Sequence, residues 1–319
     1  MPVLVRSFAK INIGLRIGPL REDRFHELHT IYQTLDFHDL IKVETGQGIG
    51  IEILCKNPQV PVDESNTCWR VAERVLRALN ARAKVRITID KRLPVQGGLG
   101  GASSNAVATM MALEKALKRQ LKAEDRLRIA ADVGSDLPLF LIGGTVLGLG
   151  RGEQVHALED LPPLDCVVAA PAIGVSTPQA FAEWDRKLTG PEASDKIKTF
   201  SQSVYDWLSG SRFSPTGVPA KGRGQAETLL LDLVRAGIAN DFESVVFPKH
   251  PSLREVKRVL ERSGAEYVSL SGSGSTIYGL FAKRSKAVAA ARVMSKSGVL
   301  AQAWKTLPRD QYWKKLFSS

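Results

Sequence analysis

A glycine-rich loop at residues 94–105 constrains the fold of this 319-residue chain more than any other segment. The loop reads Pro-Val-Gln-Gly-Gly-Leu-Gly-Gly-Ala-Ser-Ser-Asn, and it follows the alternating segment 85–90, which predicts a strand. Apolar residues at helical spacing predict that a helix begins near Ser103. Glycines accept positive φ angles and let a ligand approach the backbone, and a helix N-terminus has free N–H groups. The loop therefore predicts a phosphate site.

Two common phosphate-binding patterns do not fit this loop. A Walker loop requires a terminal Gly-Lys-Ser/Thr triplet, which the sequence lacks. A dinucleotide fingerprint that started at Gly98 and Gly100 would place its third glycine at Ser103. The remaining alternative is a glycine-rich turn that serves packing alone.

The composition is that of a globular protein with a core, since 44% of the residues are hydrophobic and 24% are charged. The net charge of +11 fits anionic ligands, but the basic residues are spread out, so we expect no nucleic-acid partner. The longest uncharged segment, 137–150, is too short to span a membrane, and we expect no signal peptide. Three cysteines without a C-x-x-C pair predict reduced core thiols and a cytoplasmic protein.

Periodicity predicts a mixture of strands and helices. The predicted strands are at 3–8, 11–17, 40–44, 49–55, 85–90, 166–170, 267–271 and 276–281. The predicted helices are at 66–80, 103–117, 125–133, 253–263 and 285–296. Segment 137–150 is predicted as two buried strands joined by a tight turn at Gly143 and Gly144. Segment 186–225 is predicted as a long surface connection with a short helix near 200–208.

The proline pair within 158–164 predicts a domain boundary. We therefore expect an N-terminal domain at 1–158 and a C-terminal domain at 159–319. The strand–turn–strand segment of the second half has a helix on each side, which predicts an α+β sandwich.

Three segments, taken together and in order, resemble the GHMP kinase superfamily, which includes galactokinase, homoserine kinase, mevalonate kinase and phosphomevalonate kinase. The loop is similar to the motif P-x-x-x-G-L-G-S/G-S-S. The residues Phe-Ala-Lys-Ile-Asn at 8–12 resemble the opening A-K-I/V-N strand, and 270–275 resembles the third motif, a second glycine loop. The resemblance implies an α+β, two-domain GHMP-kinase-like fold. It would have a ribosomal-protein-S5-like N-terminal domain, a ferredoxin-like C-terminal α/β sandwich and an active site in the cleft between them.

Further segments resemble the 4-diphosphocytidyl-2-C-methylerythritol kinase family within that superfamily. Residues 24–30, Arg-Phe-His-Glu-Leu-His-Thr, resemble G-Y-H-x-L-x-T, and residues 32–39 match aromatic-Q-x-L-D-x-x-D. Residues 134–140, Gly-Ser-Asp-Leu-Pro-Leu-Phe, resemble G-A/S-D-V/I-P-x-F. This resemblance implies ATP-dependent phosphorylation of the 2-hydroxyl of a cytidine-diphosphate-linked methylerythritol, with Mg²⁺ accompanying ATP, in the non-mevalonate route to isoprenoids.

The resemblance also implies roles for single residues. Asp136 would be the general base, and Lys10 would keep Asp136 ionised and offset charge on the transferring phosphoryl group. The implied ATP-binding residues are Asn66, Lys91, Pro94, Gly97, Gly98, Leu99, Gly100, Gly101, Ala102, Ser103 and Ser104. The implied substrate-binding residues are Asn12 for a phosphate, His26 for the cytosine edge, and Phe25 and Phe181 for stacking on the cytosine. Gly272, Ser273 and Gly274 would form the third-motif loop.

No acidic pair in the sequence identifies side-chain ligands for Mg²⁺, so we predict no metal site built from side chains. Ala102 stands where the loop motif usually has glycine or serine, and Phe25 stands where tyrosine is usual. A homoserine or mevalonate type of kinase and a catalytically silent nucleotide-binding regulator remain the alternatives. The expected partners are ATP and a small-molecule substrate, with no membrane, and the expected state is a monomer or weak homodimer.

Overall fold

The computed structural model describes residues 2–187, 197–200, 202 and 238–317. In this part of the chain, two β-sheets are each covered by helices, as an α+β fold requires. The predicted surface connection at 186–225, with its short helix near 200–208, lies almost wholly outside the described residues. In the described residues, no helix is long and apolar enough to span a bilayer.

Among the described residues, the first sheet has six strands, in the order β3-β4-β2-β5-β6, with β1 paired to β2 off this path. The strands are β1 (Val3–Leu20), β2 (His26–Gly46), β3 (Gly50–Cys55), β4 (Lys84–Asp90), β5 (Thr145–Leu149) and β6 (Gln154–Ala157). The long antiparallel pair of β1 and β2 forms the centre of the sheet, while β4 and β5 pair with different halves of β2. Only β3 and β4 run parallel within this sheet's described pairings, because a helix crosses over between them.

The helices that accompany this sheet in the described part of the chain are α1 (Thr67–Ala78), α2 (Gly101–Leu117), α3 (Ala123–Val133) and α4 (Leu137–Phe140). The side chain of Asn66 caps α1 by accepting a 2.9 Å hydrogen bond from the Cys68 backbone N–H. The predicted stripe of α1, Val71, Val75 and Leu79, is buried against the sheet residues Val85 and Ile87 in one core cluster. The spacing of apolar residues was therefore sufficient to locate both helix α1 and strand β4.

The second sheet has four antiparallel strands in the order β10-β7-β9-β8. They are β7 (Asp165–Ala170), β8 (Tyr267–Leu270), β9 (Ile277–Phe281) and β10 (Leu300–Lys305). The accompanying helices are α5 (Thr177–Lys187), α6 (Glu243–Lys249), α7 (Pro251–Arg262) and α8 (Arg284–Lys296), and α9 (Arg309–Leu316) follows near the C-terminus. The apolar residues of α5, α6, α7 and α8 form a second core cluster with the inner face of this sheet.

Strand β1 belongs to both cores. Its first part supplies Val5 and Phe8 to the core of the first sheet, while Leu15 and Ile17 pack with the second. Register shifts after Phe8, Asn12 and Ile17 bend the strand between the two environments. The two strands predicted at 3–8 and 11–17 are thus a single bent strand, and its middle lies between the two sheets.

The C-terminal helix returns to the first sheet. The backbones of Leu307 and Thr34 are joined by a 2.8 Å hydrogen bond, and Tyr312 and Leu316 are buried in the first core cluster. The division at residue 158 stays a prediction, and the last helix packs on the N-terminal side of that division.

The prediction for segment 137–150 was wrong in its first half. Residues 137–140 form the short helix α4 with Pro138 in its first turn, and only 145–149 form a strand. A short buried apolar run fits a helix and a strand equally well, and proline is well tolerated at a helix start. The first half of β2, the strands β6 and β10, and the helices α5, α6 and α9 were not predicted at all.

We expect Tyr312→Ala to lower the free energy of unfolding by about 3–5 kcal/mol, because it removes a buried aromatic ring from the first core. The substitution also removes the 2.7 Å hydrogen bond from the Tyr312 hydroxyl to the Phe140 carbonyl. Urea denaturation measures the change, and Lys314→Ala, at an exposed position of the same helix, is the matched control. Equal stability of the two variants would contradict a structural role for the last helix.

The three cysteines differ in exposure, and this difference predicts their reactivity. Burial raises the pKa of the Cys68 thiol to about 12, and burial also raises the pKa of the Cys166 thiol above its usual range. Because the thiolate is the nucleophile, both thiols should resist 5,5′-dithiobis(2-nitrobenzoic acid) at pH 8 in the native protein. We expect at most Cys55 to react before urea is added and all three afterwards. Native labelling at Cys68 or Cys166, located by peptide mapping, would contradict this burial.

Candidate active site

The glycine-rich loop connects β4 to the first turn of α2. The N-cap of α2 is Gly100, at φ +69°, and the helix has no side-chain cap there, so its N-terminal N–H groups are left to a ligand. Beside the loop lies a cavity of about 340 Å³. Uncapped N–H groups and the positive end of the helix dipole at a cavity wall are the elements of an anion site.

A second glycine loop, at 271–274, lies directly against the first. A Cβ atom added to Gly98, at φ +76°, would lie 2.0 Å from the Ser271 carbonyl oxygen, and one added to Gly274 would lie 2.4 Å from the Gly98 nitrogen. The Ser271 hydroxyl donates a 2.9 Å hydrogen bond to the Gly98 carbonyl. Glycine is therefore required at both positions by the close approach of two backbones. In the same loop Gly272 has φ +60°, and the Ser273 hydroxyl is bonded to Thr177.

All but one of the residues predicted to bind ATP line this cavity. They are Asn66, Lys91, Pro94, Gly97, Gly98, Leu99, Gly100, Gly101, Ala102 and Ser103. The exception is Ser104, which is buried, with its hydroxyl 2.8 Å from that of Ser7. Ala102 lies within α2 and does not have a positive φ angle, so its methyl group causes no backbone strain.

Lys91 is held by a buried carboxylate that the sequence reasoning did not assign. Its Nζ lies 2.6 Å from Oδ2 of Asp39, which is fully buried. The other oxygen of Asp39 accepts bonds of 2.7 Å from the backbone N–H groups of Arg92 and Leu93. A fully bonded carboxylate thus fixes an ammonium group beside Gly101 at the start of α2. Asp39 is the last residue of the motif at 32–39. The motif therefore included this aspartate, but it did not indicate that the carboxylate binds Lys91.

Lys10 and Asp136 come together beside the loop. Lys10 Nζ lies 3.3 Å from Asp136 Oδ2, and the Lys10 backbone N–H donates to the Leu99 carbonyl. The Lys10 side chain is buried, whereas that of Asp136 is 32% exposed, so the carboxylate can be reached by a small molecule. A Cβ on Gly100 would lie 2.9 Å from Lys10 Cγ, which places the lysine stem against the phosphate loop.

Asn12 orients Lys10 from the same strand. Its Oδ1 accepts a 2.7 Å bond from Lys10 Nζ, and its Nδ2 donates to the Thr30 hydroxyl at 2.8 Å. Two tyrosines of the second sheet fix this stretch of β1, since Tyr278 donates to the Asn12 carbonyl and Tyr267 to the Ile13 carbonyl. Contact of Asn12 with a substrate phosphate stays a prediction, because both groups of its amide already have protein partners.

Tyr32 also reaches the Lys10–Asp136 pair. Its hydroxyl donates a 3.0 Å hydrogen bond to Asp136 Oδ1, and its ring centroid is 5.5 Å from Lys10 Nζ. The sequence motif included this residue only as an aromatic position. The hydrogen bond of its hydroxyl to Asp136 joins two segments that are distant in the sequence. The sequence pattern does not show that these segments lie close together.

The residues predicted to bind the cytosine lie on the turn after β1 and on α5. The rings of His26 and Phe181 are stacked, with centroids 5.1 Å apart and planes at 12°, and His26 Nε2 lies 2.7 Å from Asp185 Oδ1. Phe25 is half exposed, and the Arg151 guanidinium lies 4.8 Å from its ring centroid. Within the described ranges, no ring contact joins Phe25 to Phe181. Stacking of both on one base therefore stays a prediction.

Acidic, histidine and cysteine side chains do not form a metal cluster in the described part of the chain, where no group of three or more could hold an ion. The partly exposed Asp136 carboxylate and Ser103, which lines the cavity, bring oxygen groups to the site. This donor set suits Mg²⁺ that is held mainly by ligand oxygens and water.

The chain is similar to known kinases in sequence and in fold. The profile of the GHMP kinases N terminal domain matches residues 66–144, and that of the GHMP kinases C terminal matches residues 225–300. A relative named 4-diphosphocytidyl-2-C-methyl-D-erythritol kinase, from Solibacter usitatus, is 36% identical over 88% of this chain and 81% of its own. A relative of the same name from Geobacter sulfurreducens is 34% identical over 95% of this chain and 98% of its own.

Solved structures show the same two-domain fold. A crystal structure of 4-(cytidine 5′-diphospho)-2C-methyl-D-erythritol kinase matches with a TM-score of 0.73 and 27% identity, covering 95% of this chain and 98% of that one. Homoserine kinase from Cytophaga hutchinsonii also matches with a TM-score of 0.73, at 19% identity, covering 98% of this chain and 96% of that one. The latter likeness shows the fold alone. The chain belongs to the GHMP kinases, which are ATP-dependent small-molecule kinases, and within them to the 4-diphosphocytidyl-2-C-methyl-D-erythritol kinase family.

Proposed function

We propose that this chain transfers the γ-phosphate of ATP to the 2-hydroxyl of 4-diphosphocytidyl-2-C-methyl-D-erythritol, a step of the non-mevalonate route to isoprenoids. Relatives at 34–36% identity carry the name of this kinase. The observation that carries the proposal is the 3.3 Å contact between Lys10 and a partly exposed Asp136 beside the glycine-rich loop. A phosphate site, a cation and a reachable carboxylate in one place are what transfer to an alcohol requires.

ATP would place its phosphates at the start of α2. The residues of that turn, Gly101 to Ser103, line the cavity together with Lys91, so their backbone N–H groups, the Ser103 hydroxyl and the Lys91 ammonium would be the phosphate's partners. Each of them interacts more strongly with a charged phosphate than with a neutral group, because hydrogen bonds to ionised acceptors are the stronger class. The second glycine loop, which contacts Gly98, would keep the first loop from moving away from the phosphates.

Asp136 would act as the general base. The acceptor hydroxyl oxygen forms a bond to the γ-phosphorus, the bond from that phosphorus to the β-γ bridging oxygen breaks, and ADP leaves. The hydroxyl proton passes to the Asp136 carboxylate. Lys10 would favour the ionised carboxylate before the transfer and would offset the negative charge of the phosphoryl group during it.

Mg²⁺ would enter the site with ATP and neutralise charge on the phosphate oxygens. Asp136, which is partly exposed, and Ser103, which lines the cavity, would offer oxygen groups to it. Holding the ion mainly through phosphates and water is the usual arrangement for Mg²⁺.

The acceptor end would lie at the turn that bears Phe25 and His26. His26 is fixed by Asp185 on one side and by the Phe181 ring on the other, so its imidazole and backbone are held for contact with a base edge. Phe25 presents a half-exposed π face on the same turn. Aromatic surface and a fixed polar group suit a pyrimidine, which a homoserine or mevalonate acceptor does not contain.

A coupled ADP-release assay with three acceptors tests the choice of substrate. We expect turnover with 4-diphosphocytidyl-2-C-methyl-D-erythritol and no measurable rate with homoserine or mevalonate. Turnover of only the latter two would contradict the proposed acceptor. ATP binding without turnover of any of the three would instead support the regulator.

We expect Asp136→Asn to lower kcat by about 10²–10⁴-fold, because the amide cannot accept the proton. The Kd for ATP should change little, since the phosphate site lies on the loop. Steady-state kinetics and a nucleotide-binding titration measure the two quantities. Asp132→Asn, at an exposed position of α3, is the matched control and should retain the wild-type rate. A wild-type rate in Asp136→Asn would refute the role of general base.

A further inference from the structure

Tyr32 is buried at the centre of the site, yet the proposed reaction assigns it no role. It lies on β2 opposite Asn12 of β1, and its side chain is only about 2% exposed. Its hydroxyl donates to Asp136 Oδ1 at 3.0 Å, while Lys10 Nζ lies 3.3 Å from Oδ2. The two oxygens of one carboxylate are therefore held by two different groups on two adjacent strands.

Two glycines make room for this tyrosine. A Cβ on Gly148 would lie 2.5 Å from Tyr32 Cε2, and a Cβ on Gly152 would lie 2.5 Å from the Tyr32 hydroxyl oxygen. Real Cβ atoms do not approach neighbours this closely, so any side chain at either position would displace the ring or its hydroxyl. Gly148 within β5 and Gly152 in the turn that follows it thus form a slot that fits a tyrosine whose hydroxyl points at Asp136.

The hydroxyl stays protonated across the range in which a kinase is assayed. Burial raises the pKa of Tyr32 well above its usual value, and the negative charges of Asp136 and Glu153 raise this pKa further. A neutral phenol beside a carboxylate is a donor, and a hydrogen bond to an ionised acceptor is strong.

The Asp136 carboxylate needs hydrogen bonds from other segments to keep one orientation. Asp136 is the N-cap residue of α4 in the short connection from α3, but its side chain makes no capping hydrogen bond and is 32% exposed. A carboxylate of this kind can rotate about its last bond unless both oxygens are held, and a base that rotates away from the acceptor hydroxyl loses rate.

We propose that Tyr32 is a positioning residue: its hydroxyl fixes the rotation of the Asp136 carboxylate, so that the remaining lone pairs face the acceptor hydroxyl. This inference rests on the proposed function, since it assumes that Asp136 is the base. The Tyr32 ring also packs under Lys10 Nζ at 5.5 Å from the centroid, and a phenylalanine would keep this contact. Tyr32→Phe therefore removes the hydroxyl contact alone.

We expect Tyr32→Phe to lower kcat about tenfold, with the KM values for ATP and the acceptor unchanged, because a hydrogen bond to a charged group is lost. In the Asp136→Asn background, the same substitution should cause no further loss, because Tyr32 acts through the carboxylate. Single-turnover ADP formation gives enough range to compare the four proteins of this cycle.

Tyr312→Phe is the matched control, because it removes a buried hydroxyl that also bonds to the protein, at the Phe140 carbonyl. It should lower the melting temperature and leave kcat within about twofold of wild type. A Tyr32→Phe kcat within twofold of wild type would overturn the inference, as would an equal loss in both backgrounds. Neither result would contradict the role of Asp136 as general base. That role fails only if Asp136→Asn itself retains the wild-type rate.

Discussion

Strand β1 passes through both cores, and the site depends on where its middle is held. Its two ends are fixed by burial, with Phe8 in the first core and Ile17 in the second. Between them, carbonyl groups of Asn12 and Ile13 accept hydrogen bonds from two buried tyrosines of the second sheet. Lys10 is therefore fixed by apolar packing on both sides and by hydrogen bonds from the opposite layer, and it cannot move independently of either sheet.

The positive charges of the site are stabilised before any ligand binds. A buried ammonium group is costly unless it is paired and hydrogen-bonded. Lys10 has Asn12 and Asp136 as partners, and Lys91 has the fully buried Asp39. The carboxylates thereby allow two cations to sit at the start of α2, where the helix dipole adds to their field. A phosphate that enters this site meets an arrangement that needs little reorganisation, which is the main source of electrostatic catalysis.

The sequence was sufficient where the determinants are local. The alternation of β4, the Asn66 cap of α1 and the glycine loop all lie within short windows, and the structure contains each of them. The first half of β2 was missed because buried polar residues stand among its buried apolar residues Ile31 and Leu35, which hides the apolar periodicity. Gln33 and Thr34 are fully buried, and their partner is the Leu307 carbonyl near the other end of the chain. Likewise, the burial of Ser104 against Ser7 depends on packing between distant segments, which no periodicity encodes.

Substrate choice cannot come from the fold, since a homoserine kinase matches this chain with the same TM-score as a kinase of its own family. It has to come from local geometry such as the turn after β1. Arg24 has φ +63° in this turn, where the family segment has glycine, at a cost of about 1–2 kcal/mol. Asp23 offsets this cost by accepting hydrogen bonds from the Phe25 backbone N–H and from Arg21. The strained residue directs Phe25 outward onto Arg151 and His26 inward onto Phe181. One left-handed residue thus directs two neighbouring aromatic side chains to different partners, and the proposed contact with a planar base depends on this turn.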